Sequence, residues 1–132
     1  MNRGARFTGN RITREGDDRA MVIVVAGELD ISTSPRLGVA INEVLRARPE
    51  CLLIDLRNVE FLDSTGLAVL LNARRRTIRH GINLVLVCDV PSTLRQLELT
   101  RLRSDFAICP SREEAFAALG VVPRAREASP GG

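Results

Sequence analysis

Three short apolar runs, each followed by residues at helical spacing, constrain this chain more than any other feature. The runs are residues 21–26 (MVIVVA), 51–56 (CLLIDL) and 84–87 (LVLV). Near-continuous apolar, β-branched runs of this length suit strands buried on both faces. After the first run, Gly27-Glu28-Leu29-Asp30 ends the strand. Ser34 is placed to cap a helix, with Pro35 at its first position and Leu37, Ile41, Val44 and Leu45 along one face. After the second comes a helix over about 64–79, with Leu67, Leu70, Leu71 and Ile78 inward and Gly81 at its end. After the third, Pro91 and Ser92 open a helix with Leu94, Leu97 and Leu102 inward. A short strand over 106–108 and a last helix with Ala115, Phe116 and Leu119 follow. The Ser111–Glu114 spacing is that of a capping box, and Gly120 stops the helix. Ahead of all this, residues 6–14 alternate weakly as an edge strand does, and Gly16-Asp17-Asp18 reads as a hairpin turn. Strand–helix alternation predicts an α/β domain: a mixed, mostly parallel central sheet, linked by right-handed crossovers and flanked by helices.

The core must be aliphatic. Hydrophobic residues make up 45% of the 132, yet Trp and Tyr are absent and aromatics are only 3%. Few aromatics also argue against single-stranded nucleic-acid binding by base stacking. The net charge of +3 is a small excess, contributed in part by Arg3, Arg6, Arg11, Arg14, Arg124 and Arg126 near the ends, and does not argue for DNA. Cys51, Cys88 and Cys109 are widely spaced, no C-x-x-C occurs, and His80 is the single histidine, which argues against a zinc site. Reduced thiols fit a cytoplasmic protein, and neither a signal-peptide pattern nor a membrane-length apolar run is present. No internal repeat or dividing linker is evident, so one domain over 1–122 is expected, with a loose tail over 123–132.

The stretch 59–67 (VEFLDSTGL) carries the chemistry. Asp63, Ser64 and Thr65 are residue types that cap helices, and capping alone accounts for them. Gly66 is less easily explained, because glycine near a helix start costs up to about 1 kcal/mol relative to Ala. It removes a side chain where something could approach. Free N–H groups and the dipole at a helix N-terminus favour an anion, so a phosphate on Ser64 would meet a prepared site. Catalysis by Ser64 is disfavoured: a nucleophilic serine needs a base, and His80 lies about four turns along the same helix. No nucleophile elbow, Walker loop or dinucleotide fingerprint occurs. Asp55 at the end of a buried strand has the position of a receiver phospho-acceptor, but no acidic pair follows the first strand and all 19 basic residues are arginine. Arg74-Arg75-Arg76 and Arg79 read as a solvated face or, alternatively, as a docking surface for an acidic partner. Asp30 is a turn residue that strand-end placement could bring to the Ser64 loop.

Residues 25–30 (VAGELD), 53–67 (LIDLRNVEFLDSTGL) and 81–87 (GINLVLV), with the amphipathic stretch 91–102, together resemble the STAS domain family and within it the bacterial anti-sigma factor antagonists, over about 8–120. The resemblance implies a single STAS-like domain and a phosphorylation switch without cofactor or metal. An anti-sigma factor that is also a serine kinase would phosphorylate Ser64, the unphosphorylated form would bind that kinase and free the sigma factor, and a serine phosphatase would reset the system. Asp30, Asp63, Thr65 and Gly66 would complete the docking loop. Thr65 stands where many members have a second serine and offers a second hydroxyl. Arg101 stands where relatives often have glycine, before Leu102. A STAS subunit of a lipid transporter or a signalling scaffold is the alternative on the same fold, and a small enzyme with Ser64 as nucleophile is a third reading.

Overall fold

The computed structural model describes residues 11–16 and 19–120. Five strands form one sheet in sequence order: β1 (Arg11–Gly16), β2 (Ala20–Leu29), β3 (Cys51–Leu62), β4 (Asn83–Val87) and β5 (Ala107–Cys109). β1 pairs antiparallel with β2, and every later pairing is parallel. The expected mixed, mostly parallel sheet is what forms. The edge strand occupies Arg11–Gly16, and the remainder of the expected strand and turn, residues 6–10 and 17–18, lies outside the described residues, as do residues 121–132, the expected tail over 123–132 among them.

Helices α1 (Ser34–Arg46), α2 (Ser64–His80) and α3 (Pro91–Leu99) follow β2, β3 and β4, while α4 (Arg112–Leu119) follows β5. Side chains alternate across the strands, so the sheet has two cores. Ile23 and Val25 of β2, Leu52, Ile54 and Leu56 of β3 and Leu86 of β4 pack with Leu37 and Ile41 of α1, Leu70 of α2 and Leu97 of α3. Val22, Leu53, Val85 and Val87 point the other way, onto Ala115, Phe116 and Leu119 of α4. Burying each such aliphatic side chain contributes about 1.5–3 kcal/mol. Among the described residues, one face therefore carries three α-helices and the other a single short one.

That short helix is also held by charge. Asp55, 2% exposed, points to the α4 side of β3. Its carboxylate accepts from Arg57 Nε at 3.0 Å and Nη2 at 2.8 Å, and from Arg112 Nε at 3.2 Å. Burial acts to raise the Asp55 pKa, but the bonds and charge of Arg57, with help from Arg112, outweigh it and hold the carboxyl below its ordinary value. This is a structural clasp from mid-sheet to the start of α4.

Three details depart from the sequence reading. Ile78 is 61% exposed; Ala73 and Thr77 fill the inner face of α2 instead, with Leu71 half-buried. Ser34 does not cap α1. Thr33 occupies the N-cap, and Ser34 is the first helical residue, 1% exposed. Both central strands run further than expected, and the short strand sits one residue later than 106–108. Arg101 has φ +64°, just past α3, and its N–H bonds Glu98 O while Leu102 N–H bonds Leu97 O. This is the left-handed helix stop that glycine usually provides, so an arginine is tolerated at a strained position. Leu102 therefore turns inward beyond the helix, half-buried beside the first core.

Candidate functional site

β3 pairs with β4 only from Cys51 to Asp55, but continues to Leu62 beside β2. The far ends of β2 and β3 thus form a two-stranded ribbon beyond the rest of the sheet. Gly27, at φ +95°, sits at an irregularity in the β2–β3 register and supplies the backbone conformation that needs glycine. The ribbon ends with Leu29 opposite Leu62, and Asp63 N–H donates to Leu29 O at 3.1 Å. Two loops are thereby set side by side, one opening at Asp30 and one at Asp63.

In the first loop, Asp30 Oδ1 accepts from the Ser32 hydroxyl at 2.8 Å, the Ser32 amide at 3.0 Å and the Thr33 amide at 3.1 Å. The Ser32 hydroxyl leads the interactions that hold the Asp30 carboxyl below its ordinary range against the loss of hydration. In the second, Asp63 caps α2: Oδ1 accepts from Thr65 N–H at 2.9 Å, Gly66 N–H at 3.2 Å and the Thr65 hydroxyl. Its pKa is lowered chiefly by the Thr65 hydroxyl and then by these amides, while burial and the nearby Asp30 charge oppose the shift. Asp30, Asp63, Ser64, Thr65 and Gly66 are therefore brought together as the sequence suggested.

The two hydroxyls differ sharply. Thr65 Oγ1 has one hydrogen, and it is committed to Asp63. Ser34 Oγ lies 3.3 Å from Thr65 Oγ1, so the buried Ser34 must be the donor in that bond. This hydroxyl chain, from α1 to the start of α2, links residues 31 apart in sequence. Ser64 is exposed, and its hydroxyl has no hydrogen-bond partner among the described residues. Exposed apolar side chains stand beside both loops: Ile31 is 75% exposed and Phe61 50%.

Two expectations are corrected. Gly66 does not leave room for an approaching ligand. A Cβ there would lie 2.5 Å from Leu62 Cδ1, 3.1 Å from Leu29 Cβ and 3.3 Å from Leu29 O. What approaches the helix start is the ribbon's own end. Nor is the N-terminus of α2 an open anion site, because the Asp63 carboxylate already takes the Thr65 and Gly66 amides. Sequence reasoning also missed Ser34 as a site residue, since its contact with Thr65 is tertiary and leaves no local pattern. His80 closes α2, 16 residues and about 24 Å of helix from Ser64. Among the described residues, no group of three or more His, Cys, Asp or Glu is placed to hold a metal, and no helix is long and apolar enough to cross a membrane.

The STAS domain family model matches residues 11–115. An anti-sigma F factor antagonist of Paenibacillus polymyxa is 31% identical over 114 residues, spanning 85% of this chain and 97% of that protein. The crystal structure of an anti-sigma factor antagonist from Mycobacterium paratuberculosis superposes with a TM-score of 0.78 at 33% identity, covering 85% of this chain and 95% of that one. The Bacillus cell fate determinant SpoIIAA in its phosphorylated form shares the fold, with a TM-score of 0.66 at 18% identity over 83% of this chain and 99% of that one. Fold, loop geometry and likeness converge: this chain belongs to the STAS domain family, among its anti-sigma factor antagonists.

Proposed function

We propose that this chain binds an anti-sigma factor that is also a serine kinase, that this binding releases a sigma factor, and that phosphorylation of Ser64 ends the interaction until a serine phosphatase restores it. The observation that carries the reading is the contrast between neighbouring hydroxyls. Ser64 is exposed and uncommitted, whereas Thr65 is held in the Asp63–Ser34 chain. A kinase can reach the first without disturbing the fold; phosphorylating the second would break the cap of α2.

The geometry also supports how the switch would act. A phosphoserine carries about −1.5 to −2 charge at neutral pH. The Thr65 and Gly66 amides of the first turn are bonded to Asp63, and Asp30 and Asp63 both stay ionised to low pH. The dianion would therefore project into solvent beside Ile31 and Phe61, at the centre of the contact surface. A partner docking there must strip its hydration without an answering cation, which is expensive. The fold itself has no reason to change.

Incubation of wild type, Ser64→Ala and Thr65→Val with the anti-sigma factor kinases of the source organism and ATP tests this. Label should enter wild type and Thr65→Val and be absent from Ser64→Ala, and phosphorylated wild type should lose binding that Ser64→Ala retains. Label persisting in Ser64→Ala, or binding indifferent to phosphate, would sink the reading.

A further inference from the structure

Helix α2 carries four arginines and a histidine with no acidic residue (STGLAVLLNARRRTIRH). A merely solvated helix face usually interleaves opposite charges three or four residues apart. The dipole accounts for Arg79 and His80 in the last turn, but not for the three arginines before it. Two of those have local work: Arg74 Nε donates to Asp105 O, and Arg76 Nη1 to Asn42 Oδ1. Arg75 and Arg79 are exposed and have no ion pair among the described residues. Their position is informative. At 3.6 residues per turn, Ser64, Ala68, Arg75 and Arg79 fall on one outward ridge opposite the buried Leu70, Ala73 and Thr77. Arg75 lies about 16 Å and Arg79 about 22 Å from Ser64 along the axis. Between them stand the short, exposed side chains of Ala68 and Asn72 and the half-buried Leu71.

We propose that this ridge is one continuous docking surface, with Ser64 as its switch and Arg75 and Arg79 as the selector that reads an acidic segment of the anti-sigma factor. The inference rests on the function proposed above. A partner seated over Ser64 meets only short or half-buried side chains before the arginines, so its surface can follow α2. Two unpaired cations at the far end steer an acidic partner and penalise a basic one. The selector lies apart from the switch, so partner choice can be altered while Ser64 and its loop stay intact.

The experiment measures association rates for wild type, Arg75→Glu/Arg79→Glu and Arg75→Lys/Arg79→Lys against each purified anti-sigma factor of the source organism with ADP, from 50 to about 300 mM salt. A 20-base-pair DNA duplex and phosphatidylserine vesicles are run as alternative probes. The Glu pair should slow association by about ten-fold or more and flatten its salt dependence. The Lys pair should restore it, and phosphorylation of Ser64 by the same anti-sigma factor should slow in the Glu pair in step with association. If wild type binds an anti-sigma factor and the Glu pair binds equally fast with the same salt slope, the selector is refuted and the function stands. If wild type binds none of them, the function fails and the selector with it. If only the duplex or the vesicles respond to the arginines, the ridge serves that ligand and the inference is overturned.

Discussion

Gly66→Ala sets two opposed effects against each other at the start of α2. Gly66 has no positive φ, so alanine can adopt its backbone, and helix propensity alone would favour the change by up to about 1 kcal/mol. The new Cβ, however, would stand 2.5 Å from Leu62 Cδ1 and 3.1 Å from Leu29 Cβ. Leu62 and Leu29 are 1% and 0% exposed, so neither can swing into solvent. Forcing an extra carbon into such packing costs about 1–3 kcal/mol. Overpacking should win, leaving the variant less stable by about 1 kcal/mol, or roughly 3–4 °C in Tm. Urea unfolding of a double-mutant cycle with Leu62→Val isolates the cause. Valine has no Cδ1, so in that background Gly66→Ala should cost less, giving a coupling of about 1 kcal/mol. If the single change stabilises the protein, or the two changes add within about 0.3 kcal/mol, the close approach does not explain the glycine.

Asp55→Ala should destabilise by about 2 kcal/mol, less than the loss of a fully buried pair because the Arg57 and Arg112 side chains are 35% and 29% exposed and can rehydrate. Because the folded Asp55 pKa is depressed, its contribution is complete above about pH 4 and is lost as pH falls through the lower folded value. Asp55→Asn should therefore flatten the acid limb of a stability–pH curve, and an unchanged limb would refute the clasp. Thr65→Val leaves the buried Ser34 hydroxyl without its partner and should cost about 1–2 kcal/mol, whereas Ser64→Ala should change thermal stability by no more than about 0.5 kcal/mol. Equal effects would contradict the division of labour between the two hydroxyls. Arg101→Gly relieves a left-handed arginine and should raise stability by up to about 1 kcal/mol, after the entropy of a freer unfolded chain is subtracted; a clear loss on denaturant titration would show that the arginine side chain does more than cap.

What could be read in the chain follows from range. Strand and helix order, the Gly81 and Gly120 stops and the Ser111 cap rest on neighbours a few residues apart, and these formed where expected. Asp63 was legible for the same reason, since its cap partners are two and three residues away. Gly66 was flagged by its helical cost, but which group approached it depended on Leu29, on another strand. Ser34 looked like a cap because Pro35 follows it; only the folded chain shows that Thr33 holds that place and that Ser34 serves Thr65. The Asp55–Arg112 bond spans 57 residues and has no local trace. Ile78 lies at the margin of the α2 apolar stripe, where a rotation of one residue's angle decides between core and solvent.

The β2–β3 ribbon has a consequence for inheritance as well as for binding. Beyond Asp55, β3 pairs with β2 alone, so the loops opening at Asp30 and Asp63 lie beyond the β4 and β5 end of the sheet, while Leu56, Val59 and Leu62 still pack in the core. The exposed residues there, Ile31, Phe61 and Ser64 among them, can be exchanged without repacking the aliphatic layers, whereas Leu29, Leu62 and Gly66 cannot. A lineage can thus duplicate the scaffold, rewrite the message at its end, and obtain a second regulator that hears a different signal while folding as the first one did.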